Sequence, residues 1–246
     1  ASCLVGSEMC IRDSYWILTS TATPMDLLVP TPEMVDIKHL AQALGNVCRF
    51  NGHCKHHYSV AQHSILVSSI VEWEGGSPEE ALQGLLHDAE EAYIADLTRP
   101  LKLLLIEAAH QRNEAWLSIL AEAGIDRDSA AMKAAILHLL PDEQGQGLSI
   151  LVDVYKQVAD RIRAAICEAY HMEFELPASV KDADMVALAT EKRALLPEHP
   201  ATWECLNGYE ALNGRIEQWT PEQARDHFHE RLIALLATTH RRRAAA

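Results

Sequence analysis

Three times along this chain a hydroxyl residue is followed by proline and glutamate: Thr31-Pro32-Glu33, Ser77-Pro78-Glu79 and Thr220-Pro221-Glu222. Such a triplet starts a helix. The hydroxyl caps a free amide, proline has no amide to leave unpaired, and the acid meets the positive end of the helix dipole. Behind the first triplet, Met34, Ile37, Leu40, Ala41 and Leu44 recur at helical spacing, and Gly45 offers a stop. Behind the second, Glu80 is placed to complete a capping box, and Leu82, Leu85, Leu86 and Ala89 carry the helix on. Ser59 is placed to cap another helix, whose apolar face is Val60, Val67, Ile70 and Val71 with His63 on the same side. The same period predicts helices over residues 101–123, 129–140, 148–170 and 179–196. No alternating β-branched run is long enough to demand a sheet, so the expected fold is an all-α bundle.

The stretches outside this pattern are short. Residues 15–32 are rich in Thr and Pro and predict an extended lead-in with short strands. Residues 3–13, CLVGSEMCIRD, lack the basic-then-apolar order of a signal peptide and resemble the in-frame translation of a transposase-type sequencing adapter. Residues 1–14 are therefore expected to contribute nothing to the fold, and residues 15–246 to form one domain. The glycine-containing stretch 141–147 reads as a loop, since helices of like character flank it.

With 246 residues and 48% hydrophobic content the chain can bury a full core. Apolar runs such as residues 101–106 are interrupted by charge well short of the roughly 18–20 residues that cross a bilayer, so no membrane association is expected. A formal charge of -14 argues against stable nucleic-acid binding, which needs a basic surface; phosphate, if handled, is handled in a local pocket. The basic run Arg241, Arg242 and Arg243 reads as a solvated tail. Six cysteines, Cys3, Cys10, Cys48, Cys54, Cys167 and Cys205, form no CxxC pair, which fits a reducing, cytoplasmic setting.

Residues 84–102, GLLHDAEEAYIADLTRPLK, place His87 and Asp88 inside an otherwise apolar helix. An uncompensated carboxylate on such a face costs several kcal/mol, which hydrogen bonds within the core or a metal ion would offset. Glu91 follows at helical spacing and projects to the same side, His63 on the preceding helix could complete the cluster, and the segment closes on Asp96, Arg99 and Lys102. By contrast, His53, His56 and His57 beside Cys54 lack a CxxC or HxxxH partner and read as pocket-mouth or solvated residues. Trp203 and Trp219 read as packing residues.

The order RFNGH, YSVAQHS, HDAEEAYIADLTRPLK, VKDAD over residues 30–196 resembles the signature of HD-domain metal-dependent phosphohydrolases, within the branch of bacterial 5′-deoxynucleotidases and similar phage proteins. The resemblance implies an HD-domain helical bundle with His63, His87, Asp88 and Asp184 as metal ligands. Spacing alone leaves Asp182 and Asp184 both open; the family pattern favours Asp184. It further implies a phosphate-binding Arg49, an acid-base role for Glu91 and a sugar contact for Asp96. Two imidazoles and two carboxylates suit a divalent Mn, Co, Fe or Zn better than Mg. Lys102 and Arg49 would neutralise phosphate charge.

The expected partner is a small nucleotide or phosphate ester, with a homodimer left open. The expected reaction is hydrolysis of (deoxy)nucleoside 5′-monophosphates to nucleoside and phosphate. Hydrolysis of triphosphates or phosphodiesters at the same site is the alternative. A di-iron oxygenase would need further histidines, for which His110 and His138 are the candidates by position. A nucleotide sensor without catalysis is the remaining reading.

Overall fold

The computed structural model describes residues 15–124, 126, 129 and 153–245. Residues 1–14, the loop 141–147 and, apart from Ser129, the helix expected over 129–140 lie outside the described residues. The chain opens with β1 (Trp16–Leu18) and β2 (Pro24–Asp26), paired antiparallel with Ile17 opposite Met25. There follow α1 (Ile37–Asn46), α2 (Val60–Trp73), α3 (Pro78–Leu86), α4 (Glu91–Ile94), α5 (Arg99–Glu122), α6 (Val154–Ala169), α7 (Ala178–Leu195) and α8 (Pro221–Ala245). Apart from the hairpin the described chain is all-α. None of its helices is long and apolar enough to cross a membrane.

α2 sits at the centre, against α1, α3, α7 and α8. Leu40, Leu44, Val67, Ile70, Leu82, Leu85, Ala187, Phe228 and Leu232 form one buried core around it, each large side chain contributing about 1.5–3 kcal/mol on leaving water. Ser59 caps α2 through a bond from the Gln62 amide, and Ser77 and Glu80 form the expected capping box on α3. These caps set where each helix begins and hence which face carries His63.

Three local expectations are corrected. The triplet at Thr31 nucleates only a 3-10 turn, Pro32–Met34, because Asp36 starts the helix over: its carboxylate accepts from the Lys38 and His39 amides, and an anion caps more strongly than a hydroxyl. Gly45 is not a stop. It lies within α1 where α8 approaches, and a Cβ there would stand 2.8 Å from the Pro221 carbonyl oxygen. Finally, the helix carrying the His-Asp pair does not run on through Glu91. It ends at Leu86, where the His87 Nδ1 donates to the Gly84 carbonyl (2.8 Å) and competes with the backbone ladder. Tighter i→i+3 bonds follow, from Ala89 to Leu86, Glu91 to Asp88 and Tyr93 to Glu90.

Candidate metal centre

His63 comes from the middle of α2, His87 and Asp88 from the tight turn after α3, and Asp184 from α7. Their side chains meet. His87 Nε2 lies 3.1 Å from Asp88 Oδ2 and 3.8 Å from Asp184 Oδ1, while His63 Nε2 lies 3.2 Å from Asp184 Oδ1 and 3.7 Å from Asp88 Oδ2. The two Nε2 atoms are 3.3 Å apart. An ion with bonds of about 2.1 Å separates neighbouring ligand atoms by about 3.0 Å in an octahedron and about 3.4 Å in a tetrahedron. The observed separations, 3.1–3.8 Å, start just above the octahedral value and extend a few tenths of an ångström past the tetrahedral one.

Proton positions make the same point. The Gly84 carbonyl can only accept, so His87 Nδ1 carries a proton. His63 Nδ1 lies 2.6 Å from Glu191 Oε1. Burial raises the pKa of Glu191, but Arg49 and then His63 outweigh it and hold the carboxyl below its usual range, so it accepts from a protonated His63 Nδ1. Both Nε2 atoms therefore face one point shared with two carboxylate oxygens, which a metal cation could occupy. Without an ion, protons fill the role. Burial pushes His87 down, but Asp88 and Asp184 raise it well above the usual imidazole range; His63 is also raised, Glu191 and Asp184 overcoming burial and the Arg49 charge. Asp88 and Asp184 are correspondingly lowered by the imidazoles in spite of burial.

The imidazoles form the floor of the cluster, His63 fully buried and His87 nearly so, and the carboxylates form its rim, with Asp88 24% and Asp184 37% exposed at the side chain. One side is open to an incoming ligand. His63, His87 and Asp88 could hold a metal ion, and a buried, one-side-open cluster of this kind suits metal-dependent catalysis in general. Asp182 points elsewhere, accepting from the exposed Tyr209 hydroxyl at 2.8 Å.

Arg49 reaches this rim from an unusual turn. Phe50 (φ 55) and Asn51 (φ 52) are both left-handed, a conformation costing on the order of 1–3 kcal/mol for each non-glycine residue. Bonds from Arg49 N to Tyr58 O, Val60 N to Val47 O and Lys55 N to Leu195 O hold the turn against α2 and α7. The guanidinium is thereby buried, with Nη2 3.1 Å from Glu191 Oε2 and Nη1 3.7 Å from Asp88 Oδ2.

Across the cluster, the buried Glu91 accepts from Lys102 Nζ at 3.0 Å. Burial first, then the Asp88 and Asp96 charges, raises the Glu91 carboxyl well above its usual range. Lys102 is raised in turn, chiefly by Glu91 against burial. Asp96 follows Ala95, whose φ of 63 bends the chain sharply, and its charge acts on both Glu91 and Arg49. His110 is exposed on α5, and His138 lies outside the described residues. Of the histidine run, His53 is exposed, His56 Nε2 is buried without a partner and His57 Nε2 contacts the Gly45 carbonyl oxygen.

Glu191 was not anticipated. Its position seven residues after Asp184 puts it on the same face of α7, and a second carboxylate in line with a candidate ligand was the available signal.

No family model matches the chain. It is 33% identical over 176 residues to the uncharacterised protein YfdR of Escherichia coli (strain K12), a match covering 71% of this chain and 69% of that protein. It is also 36% identical over 91 residues to an uncharacterised protein of Rhodobacter capsulatus, covering 35% of this chain and 46% of the relative. With a third of its residues identical across more than two thirds of both sequences, this chain belongs to the family of the Escherichia coli protein YfdR.

Proposed function

We propose that the chain is an HD-type metal-dependent phosphohydrolase that cleaves (deoxy)nucleoside 5′-monophosphates to nucleoside and phosphate. The observation that carries this reading is the convergence of four ligand atoms from His63, His87, Asp88 and Asp184, with a buried arginine beside Asp88 and a buried Glu91–Lys102 pair on the segment that follows. The HD-like order of motifs in the sequence supports the same reading.

His63, His87, Asp88 and Asp184 would hold a divalent ion, which would supply a Lewis acid for a phosphoryl oxygen and a lowered pKa for water beside it. The remaining work falls to the chain's own groups. The planar Arg49 guanidinium grips phosphate oxygens at the rim, and Lys102, paired with Glu91, adds a second positive charge. In a protein of charge -14 these fixed cations offset the long-range repulsion of an anionic substrate. Glu91, held toward its protonated form by burial, can give a proton to the departing ester oxygen. Asp96, beyond the bend at Ala95, accepts from a sugar hydroxyl.

The test is hydrolysis by metal-stripped protein, alone and after addition of Mn, Co, Zn, Fe or Mg, followed as phosphate released from nucleoside mono-, di- and triphosphates and as monophosphate formed from cyclic phosphodiesters. Release from monophosphates with Mn or Co, and none from stripped protein, is expected. Preferential cleavage of triphosphates or diesters would move the substrate class. A protein that binds the ions but hydrolyses none of these would refute the reading.

A further inference from the structure

We propose that Glu191 is a positioning residue that fixes the tautomer of His63 and the seat of Arg49 with one carboxylate, so that the metal-binding and phosphate-binding halves of the site are set together. The inference rests on the metal-dependent reading above. Glu191 is fully buried, and its two oxygens take three donors from the segment 49–63, far away in sequence: His63 Nδ1 (2.6 Å) and the Tyr58 hydroxyl (3.0 Å) on Oε1, Arg49 Nη2 (3.1 Å) on Oε2. Neighbours on its helix such as Ala187 and Leu195 belong to the apolar interior, where a hydrocarbon side chain would satisfy packing without the desolvation of a charge. The carboxylate does what a hydrocarbon cannot. It keeps the proton on His63 Nδ1, which leaves the Nε2 lone pair for the ion and raises its basicity, the usual part of an outer carboxylate behind a ligating histidine. With its other oxygen it anchors Arg49, whose contact to the Asp88 rim is longer, 3.7 Å.

Glu191→Gln tests the role with little change of shape. An amide offers one accepting oxygen and one donating nitrogen, so it cannot receive from Arg49 and His63 together. With the nitrogen toward Arg49 the clamp is lost. With the nitrogen toward His63, the imidazole must accept at Nδ1 and carry its proton on Nε2, where the ion belongs. Zinc affinity, measured by competition with a chromophoric chelator, is expected to fall by about 10–100-fold where the nitrogen faces His63, and the KM for a nucleoside monophosphate to rise where it faces Arg49, with an unchanged far-UV spectrum in either case. Zinc-loaded wild-type protein labelled with ¹⁵N-histidine is expected to show His63 protonated at Nδ1. Wild-type zinc affinity together with a wild-type KM in a folded Glu191→Gln protein, or a wild-type His63 protonated at Nε2, would overturn the inference alone. A wild-type protein that binds no zinc would overturn the metal-dependent reading and this inference with it. If the variant does not fold, the wild-type histidine spectrum decides.

Discussion

Replacing Arg49 by alanine separates two consequences of one buried guanidinium. Its Nη2 lies 3.1 Å from a Glu191 carboxylate that has no solvent exposure. Breaking a buried ion pair from one side costs about 3–5 kcal/mol, because the remaining charge stays desolvated. Glu191 keeps the His63 and Tyr58 donors, so the lower end applies, about 3 kcal/mol. At about 2–4 °C per kcal/mol for a chain of this size, the melting temperature of metal-stripped Arg49→Ala should fall by about 6–12 °C. Arg49→Lys restores the charge without the planar fork and should fall between the two proteins. On the catalytic side, loss of a charged hydrogen bond to phosphate is worth about 1–3 kcal/mol in kcat/KM, or roughly 5- to 150-fold. Chemical denaturation of stripped protein reads the first effect, and initial rates on a nucleoside monophosphate with saturating Mn read the second. Stability within about 0.5 kcal/mol of wild type would refute the buried pair. A large stability loss with unchanged kcat/KM would instead refute the phosphate role and pass it to Lys102 or Arg99.

Glu91→Gln should retain bound metal while kcat falls by about 10²–10⁴-fold; loss of metal, read by elemental analysis, would make Glu91 a ligand. Asp184→Asn should weaken metal binding, whereas Asp182→Asn takes the charge from an exposed contact that still accepts from Tyr209 and should leave metal content and melting unchanged. Equal effects at the two positions would contradict the arrangement. Burial, and then the Asp88 charge, push the Glu90 carboxyl from an ordinary value of 4.5 up to about 7. A group raised in the folded state stabilises it fully below its unfolded pKa and loses that contribution as pH rises through the folded value. Metal-stripped wild type should therefore lose stability between about pH 4.5 and 7, by up to about 3 kcal/mol, and Glu90→Gln should flatten that part of the denaturation profile. Parallel profiles would exclude the effect.

What could be read from the residues alone was local. Ser59, Ser77 and Thr220 announce α2, α3 and α8, because a cap and a 3.6-residue period act within a turn or two of chain. The clash of His87 and Asp88 with an apolar face likewise marks the site from within one segment, and His63 sits on the inward face that its cap predicts. Even so, Asp36 took the helix start from Thr31, since two caps five residues apart compete and the anion wins. Only the folded chain decided that Asp184 and not Asp182 turns inward, that Arg49 is buried, and that Glu191 joins it to His63. Those pairings span 142 and 128 residues. Periodicity ranks the faces of one helix, but which carboxylate on α7 meets which imidazole on α2 depends on how the two helices are set against each other by the core between them.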